Sequence, residues 1–485
     1  MMDMLVLTWQ EVGGWFFVRR EVFGLMAYTM MAIGFLQSVI YTIQLPLAYL
    51  ELSIQKYREI RTQSWHLITA DITIPISILV PAYNEEVTVV QNVLSMLALK
   101  YPEFEVIVVN DGSKDDTIGV LKREFSLKDL HRPYEVVAPH QPIRGIFTAP
   151  SYPNLVVIDK ENGGKADAIN AGLNVARYSL FCTVDADSLL EADALVKAVQ
   201  PFIDKPKTMI AVGGTVRIAN GCVVHHGKVE KIRVPRNILA RFQVVEYIRA
   251  FLIGRLAWSR VGILTIISGA FGVFKRSVAL EVGGYSVDAI GEDLDLVLKM
   301  HQLMHRQKRP YDIQFIPEPV CWTEVPETLT ILRKQRLRWQ RGALQGFFRY
   351  AGMTMNPRYG RVGIFAFPII FLLDILGPLN EFLGYILMPI FFALGTIEKE
   401  VFLAFLAIYF SLGIFISVFS LILEELSLRR FPRASDLLVL AYMAILENFG
   451  YRQLNNFWRV KSLFLFLLGR KQEWGQMTRK GFGKK

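Results

Sequence analysis

Residues 181–190 read FCTVDADSLL, an apolar run that stops at two carboxylates, Asp185 and Asp187. Residues two apart on an extended strand share a face, so both acids should point the same way from the strand's end. Adjacent anions repel unless a cation sits between them. The other reading is a helix cap, because the acids and Ser188 precede the helix-like EADALVKAV at 191–199. On spacing alone both readings stand.

Working outward, the same pattern repeats three times upstream. IPISILVPAYN (74–84) leads into EEVTVVQNVLSMLAL, FEVIVVNDGS (104–113) into KDDTIGVLKREF, and NLVVIDK (154–160) into GGKADAINAGLNVA. Short apolar, β-branched runs alternating with helical ones predict an α/β section with a mostly parallel sheet covered on both faces. Ligands in such sheets sit at the carboxyl ends of the strands. PAYNEE, NDGSKDD, KENGGK and DADS all fall at those ends, which converge on one crevice. Lys165 lies where a glycine-rich turn opens a helix, a place that favours a bound anion.

The chain has 485 residues, 52% of them apolar, and a formal net charge of +10. The apolar excess is concentrated. No charge occurs from Val22 to Leu50, long enough for a bilayer core of about 30 Å. Val401–Leu423 is a second clean stretch. Val362–Ile397 is a third, interrupted by Asp374 and Glu381, and Ser435–Tyr451 is a weaker fourth. The sequence therefore predicts a multi-pass membrane protein divided at 1–50, 51–361, 362–457 and a basic tail, 458–485. Cys182, Cys222 and Cys321 lack metal or pairing spacing, and basic residues such as Lys56, Arg58 and Arg429 flank the spans. Both features place residues 51–361 in the cytosol beneath a plasma (inner) membrane. Four crossings, however, would put the basic tail outside.

The motifs VPAYNEE, VNDGSKDDT, NGGKADAINAG, TVDADS, GEDLDLVLKM and KQRLRWQRG occur in the order seen in family 2 glycosyltransferases. They resemble the membrane-embedded, largely processive branch that makes cellulose, hyaluronan, chitin and poly-N-acetylglucosamine. That resemblance implies a GT-A-type (Rossmann-like) glycosyltransferase domain flanked by transmembrane and interface helices. It also implies a nucleotide diphospho-sugar donor, usually a uridine one, and an inverting transfer to a glycan or glycolipid acceptor. Mg²⁺ or Mn²⁺ would sit at Asp187 and Asp185, since such ions take carboxylate and phosphate oxygens. Tyr83, Glu85, Asp111, Lys165, Asp185 and Arg338 would hold the donor. Gln335, Trp339 and Ser268 would hold the acceptor, and Asp293 would be the base, with Glu292 and Asp295 as alternatives.

The helix-like stretch Asn237–Trp258 is expected at the membrane interface, with a buried core helix as the alternative. The basic insertion around His225 and His226 has no role in this scheme. A lipid bilayer, and accessory export proteins for a polymer product, complete the implied partners; nucleic acid is not among them. A non-processive transferase acting on a lipid or short acceptor is the competing reading. A silent nucleotide- or glycan-binding membrane partner is a third, opposed by the intact acids.

Overall fold

A computed structural model describes residues 3–61, 73–225, 227–428, 431 and 433–470. In chain order its strands are β1 (Ile76–Ala82), β2 (Phe104–Asp111), β3 (Lys128–Asp129), β4 (Ile143–Ala149), β5 (Tyr152–Lys160), β6 (Leu180–Val184), β7 (Leu189–Leu190), β8 (Met209–Ile218), β9 (Val223–His225), β10 (Lys228–Lys231), β11 (Phe271–Lys275) and β12 (Asp312–Thr323). Ten of them form one sheet in the order β3-β4-β5-β2-β1-β6-β11-β8-β12-β7. The four apolar runs of the sequence are its parallel centre, β5-β2-β1-β6. Ile78, Val80, Val106–Val109 and Val156–Ile158 are buried there, as expected of strands covered on both faces. The sequence reading missed the antiparallel additions: β4 folds back on β5, and β11 runs between β6 and β8.

The helix-cap reading of the two acids fails. β7 intervenes after Ser188, and the next helix, Ala194–Asp204, begins at Asp193 with no side-chain cap. The insertion forms the β9–β10 hairpin, where His225 is exposed 3.8 Å from Glu230; His226 lies outside the described residues.

Three helical stretches among the described residues are long and apolar enough to cross a membrane: Glu21–Gln55, Val362–Ala393 and Lys399–Ser427. The fourth candidate is a 13-residue helix, Ala434–Leu446, about 20 Å long at 1.5 Å per residue and short of a bilayer core. The division placed at 50/51 falls inside the helix Asp3–Arg61, and that at 457/458 inside the helix Tyr451–Leu467. Residues 471–485 of the tail lie outside the described residues. The expected interface helix runs from Ile238 to Ile248 and continues through a π-helical stretch, Arg249–Arg255, to Arg260. It is wedged between the α/β section and the apolar helices: Gln243 donates to the Pro326 carbonyl at 2.7 Å, while Arg249 pairs with Glu447 and donates to Ser417.

Candidate active site

The carboxyl ends of the central strands build the crevice. Loops after β1 and β2 are tied together: Asn84 accepts from the Lys114 amide at 2.8 Å, and its own amide donates to Ser113 at 3.0 Å. Tyr83 is exposed beside them, and Glu85 accepts from Thr88 at 2.7 Å. Asp111, at the end of β2, faces inward. It pairs with Lys160 at 2.6 Å and accepts from the Gly163 and Gly164 amides at 3.0 and 2.8 Å. Gly164 has φ +91°, a conformation that L side chains rarely adopt. Asp111 thus holds the turn from which the helix Lys165–Val175 starts.

Lys160 escaped the sequence reading. It is fully buried and bridges Asp111 to Asp167. Its only sequence signal is a lysine at the end of a strand whose centre, Leu155–Ile158, is apolar.

Lys165 bridges the two acidic motifs, 2.6 Å from Asp185 and 3.1 Å from Glu292. Burial works to discharge its ammonium, but Asp185, Glu292 and Asp293 outweigh burial and hold its pKa above the usual lysine range. Asp187 is buried and Asp185 half-buried. No group of three or more His, Cys, Asp or Glu suited to a metal occurs among the described residues. Two carboxylates at one strand end still match the donor set of Mg²⁺ or Mn²⁺ when phosphate oxygens complete the shell.

Asp293 lies in the first turn of the helix Glu292–Arg306. It accepts from the Gly269 amide at 3.0 Å and the Leu294 amide at 2.8 Å. Burial first, then Glu292, raises its pKa above the ordinary carboxylate value; Lys165 and the two amides oppose the rise. Asp295 points elsewhere, to Arg349 and Tyr350, each at 3.1 Å.

Facing Asp293 is the helix Leu329–Arg349. It approaches so closely that a Cβ at Gly342 would stand 3.0 Å from both Gly291 Cα and N. Gly342→Ala is therefore expected to cost about 1–3 kcal/mol of packing and to lower turnover by displacing Asp293, read by thermal melting and initial rates. On this helix Arg338 and Trp339 face the same cavity as Asp293, Lys165 and Ser268. Arg336 stacks on Trp339 at 4.5 Å and forks onto Glu246 at 2.7 and 2.8 Å. Gln335 is buried and does not line that cavity.

The cavity has a volume of about 680 Å³ and continues past the crevice among the long apolar helices and the helix Tyr451–Leu467, where Gln37, Tyr41, Asp374, Glu381 and Arg459 line it. Arg255 also lines it, stacked on Phe251 at 3.7 Å, with an Nη1 that has no hydrogen-bond partner among the described residues.

The family description "Glycosyl transferase family 2" matches residues 77–278, and "Glycosyl transferase family group 2" matches 180–418. Poly-beta-1,6-N-acetyl-D-glucosamine synthases of Staphylococcus epidermidis and Staphylococcus aureus are each 32% identical over 286 residues, 58% of this chain and 58% of theirs. The chain thus aligns with little more than half the length of these curated relatives. Among solved structures, the Pyrobaculum calidifontis mannosyltransferase PcManGT with GDP-Man and Mn²⁺ is 17% identical, with a TM-score of 0.48, covering 91% of this chain and 100% of that one. S. aureus TarS 1-349 with UDP-GlcNAc is 14% identical, with a TM-score of 0.36, covering 82% and 93%. The two family matches overlap at 180–278 and together run from the first strand of the α/β sheet into the apolar helices: residues 77–418 carry the domains of a family 2 glycosyltransferase.

Proposed function

We propose that this chain is a membrane polysaccharide synthase that transfers N-acetylglucosamine from UDP-N-acetylglucosamine to a growing glycan, with inversion. The observation that carries the reading is the single cavity that holds Asp293, Arg338 and Trp339 and extends among the spans. A glycan leaving the reaction centre could follow it. The sugar is taken from the name of the staphylococcal relatives. Three crossings would return the chain after Ser427 to the side of the catalytic section, which suits a basic C-terminal segment on the cytosolic side.

In this mechanism Asp293 removes the proton of the acceptor hydroxyl. The resulting oxygen attacks the anomeric carbon, and the bond from that carbon to the diphosphate oxygen breaks. The nucleoside diphosphate leaves with the electron pair. Asp185 and Asp187 would hold Mg²⁺ or Mn²⁺, which when bound neutralises the diphosphate charge. Lys165 moves from Asp185 toward the phosphates, and Arg338 offers them a planar fork. Trp339 gives the acceptor ring an apolar face. Asp111, Tyr83 and Glu85 wall the nucleotide end, where Asp111 would act chiefly through the turn it fixes. Ser268 borders the acceptor side; Gln335 would support its helix from within.

Asp187→Asn is expected to abolish transfer while leaving expression and melting behaviour close to wild type. Excess chelator should do the same to the unaltered protein, and added Mg²⁺ or Mn²⁺ should restore it. Nucleotide release from UDP-N-acetylglucosamine by purified membranes is the measurement. Full activity in chelator would overturn the metal assignment.

A further inference from the structure

A second cavity, of about 340 Å³, opens at the seam between the sheet and two spans. Asp312 starts β12, which runs parallel to β8; β8 and β6 both run antiparallel to β11. The cavity therefore lies at the amino ends of the parallel strands, opposite the carboxyl ends where Asp185 stands. His301 and His305 line it, about 12–18 Å along the helix Glu292–Arg306 from Asp293 at 1.5 Å per residue. It is separate from the reaction centre.

Its walls carry both signs of charge. Lys205, Arg260 and Arg361 face Glu51 and Asp312. Lys205 and Asp312 satisfy one another at 3.2 Å, with Thr208 on the second oxygen of Asp312 at 2.6 Å. The two arginines are less engaged. Arg260 stands 3.6 Å from Glu51, and among the described residues Arg361 reaches only the Val261 carbonyl, at 3.4 Å. A guanidinium has five N–H donors, so each retains capacity for a phosphate. Glu51 accepts from Gln55 at 2.9 Å on its other oxygen. His301 is neutral, with burial pushing its pKa down to about 4. Its Nε2–H donates to the Leu264 carbonyl at 2.8 Å, so Nδ1 accepts from Tyr311 at 2.6 Å.

The position supplies the rest. Glu51 is near the end of the span Glu21–Gln55, and Arg361 directly precedes the span Val362–Ala393. Both spans expose apolar side chains within three residues of the cavity's lining: Tyr49 and Leu50 just before Glu51, Ile364 and Phe365 just after Val362. Charged walls at headgroup level, with apolar flanks running into the bilayer, match a whole lipid better than a free phosphate. Mixed walls match a zwitterion better than a simple anion. We propose that this cavity binds the headgroup of an aminophospholipid, its phosphodiester on Arg260 and Arg361 and its ammonium at Glu51, with the acyl chains along the two apolar flanks.

The test uses the full chain purified in detergent, given phosphatidylethanolamine, phosphatidylglycerol or phosphatidylcholine, with retained lipid counted by native mass spectrometry. Phosphatidylethanolamine should be retained in preference to the other two. Arg361→Gln should lower its retention about tenfold, as for a lost charge-assisted contact. That variant removes an exposed side chain with one long bond, so it tests the site even if Arg260→Gln does not fold. Glu51→Gln should erase the preference over phosphatidylglycerol. Equal retention of all three lipids, unchanged in Arg361→Gln, would mean annular lipid only and overturn the proposal. Displacement by tailless glycerophosphoethanolamine at the same concentration would also overturn it, because the apolar flanks would then contribute nothing.

Discussion

Asp293→Asn is expected to lower turnover about 10²–10⁴-fold, the range for a lost general base, with donor affinity nearly unchanged. The amide keeps the size of the carboxylate, but its single acceptor oxygen keeps only one of the two bonds that Asp293 accepts, on separate oxygens, from the Gly269 and Leu294 amides. It cannot take a proton. The unaltered enzyme should lose rate as pH falls through a pKa above the ordinary aspartate value, because burial and Glu292 favour the protonated, inactive form. Arg338→Lys should also lose turnover, since a point charge does not reproduce the fork. Trp339→Ala should shorten product more than it slows donor hydrolysis by water. Donor affinity, nucleotide release and product length, measured side by side, separate these roles. Loss of donor binding in Asp293→Asn would move the base to Glu292, which already contacts Lys165.

Lys160→Met is expected to have the largest effect on stability. It leaves Asp111 and Asp167, both buried, facing one another without their shared cation. Breaking a buried pair by removing one partner costs about 3–5 kcal/mol. The loss should extend to donor affinity, because Asp111 fixes the Gly163–Gly164 turn from which Lys165 projects. Adding Asp167→Asn removes one of the stranded charges, so the double variant should melt above Lys160→Met alone. Melting curves for the wild type, the single variant and the double variant check this. A Lys160→Met protein that melts with the wild type would show that the bridge does not stabilise this corner of the fold.

The parallel centre of the sheet was legible because β-branched runs such as Val106–Val109 have no stable use except burial between helices. The crevice was legible because four polar clusters follow four such runs. β4 was not, since its sequence, IRGIFTA, is half-exposed and carries no strict alternation. Lys160 was invisible for a different reason: nothing local distinguishes a lysine that will be buried between two acids from one that will be solvated. The inward turn of Asp111 has the same origin, because its partners are about 50 residues away. The Ser435–Tyr451 stretch looked long enough to span. Its helix stops at Leu446, before Glu447, which is buried against Arg249.

The central claim is that transfer chemistry and the passage between the spans are one continuous site. Purified protein in sealed vesicles, catalytic section outward, can be given radiolabelled UDP-N-acetylglucosamine from outside. The predicted result is labelled polymer inside the vesicles, protected from an added glycosidase, together with stoichiometric release of UDP. Labelled single-sugar lipid confined to the outer leaflet, with no protected polymer, would contradict it.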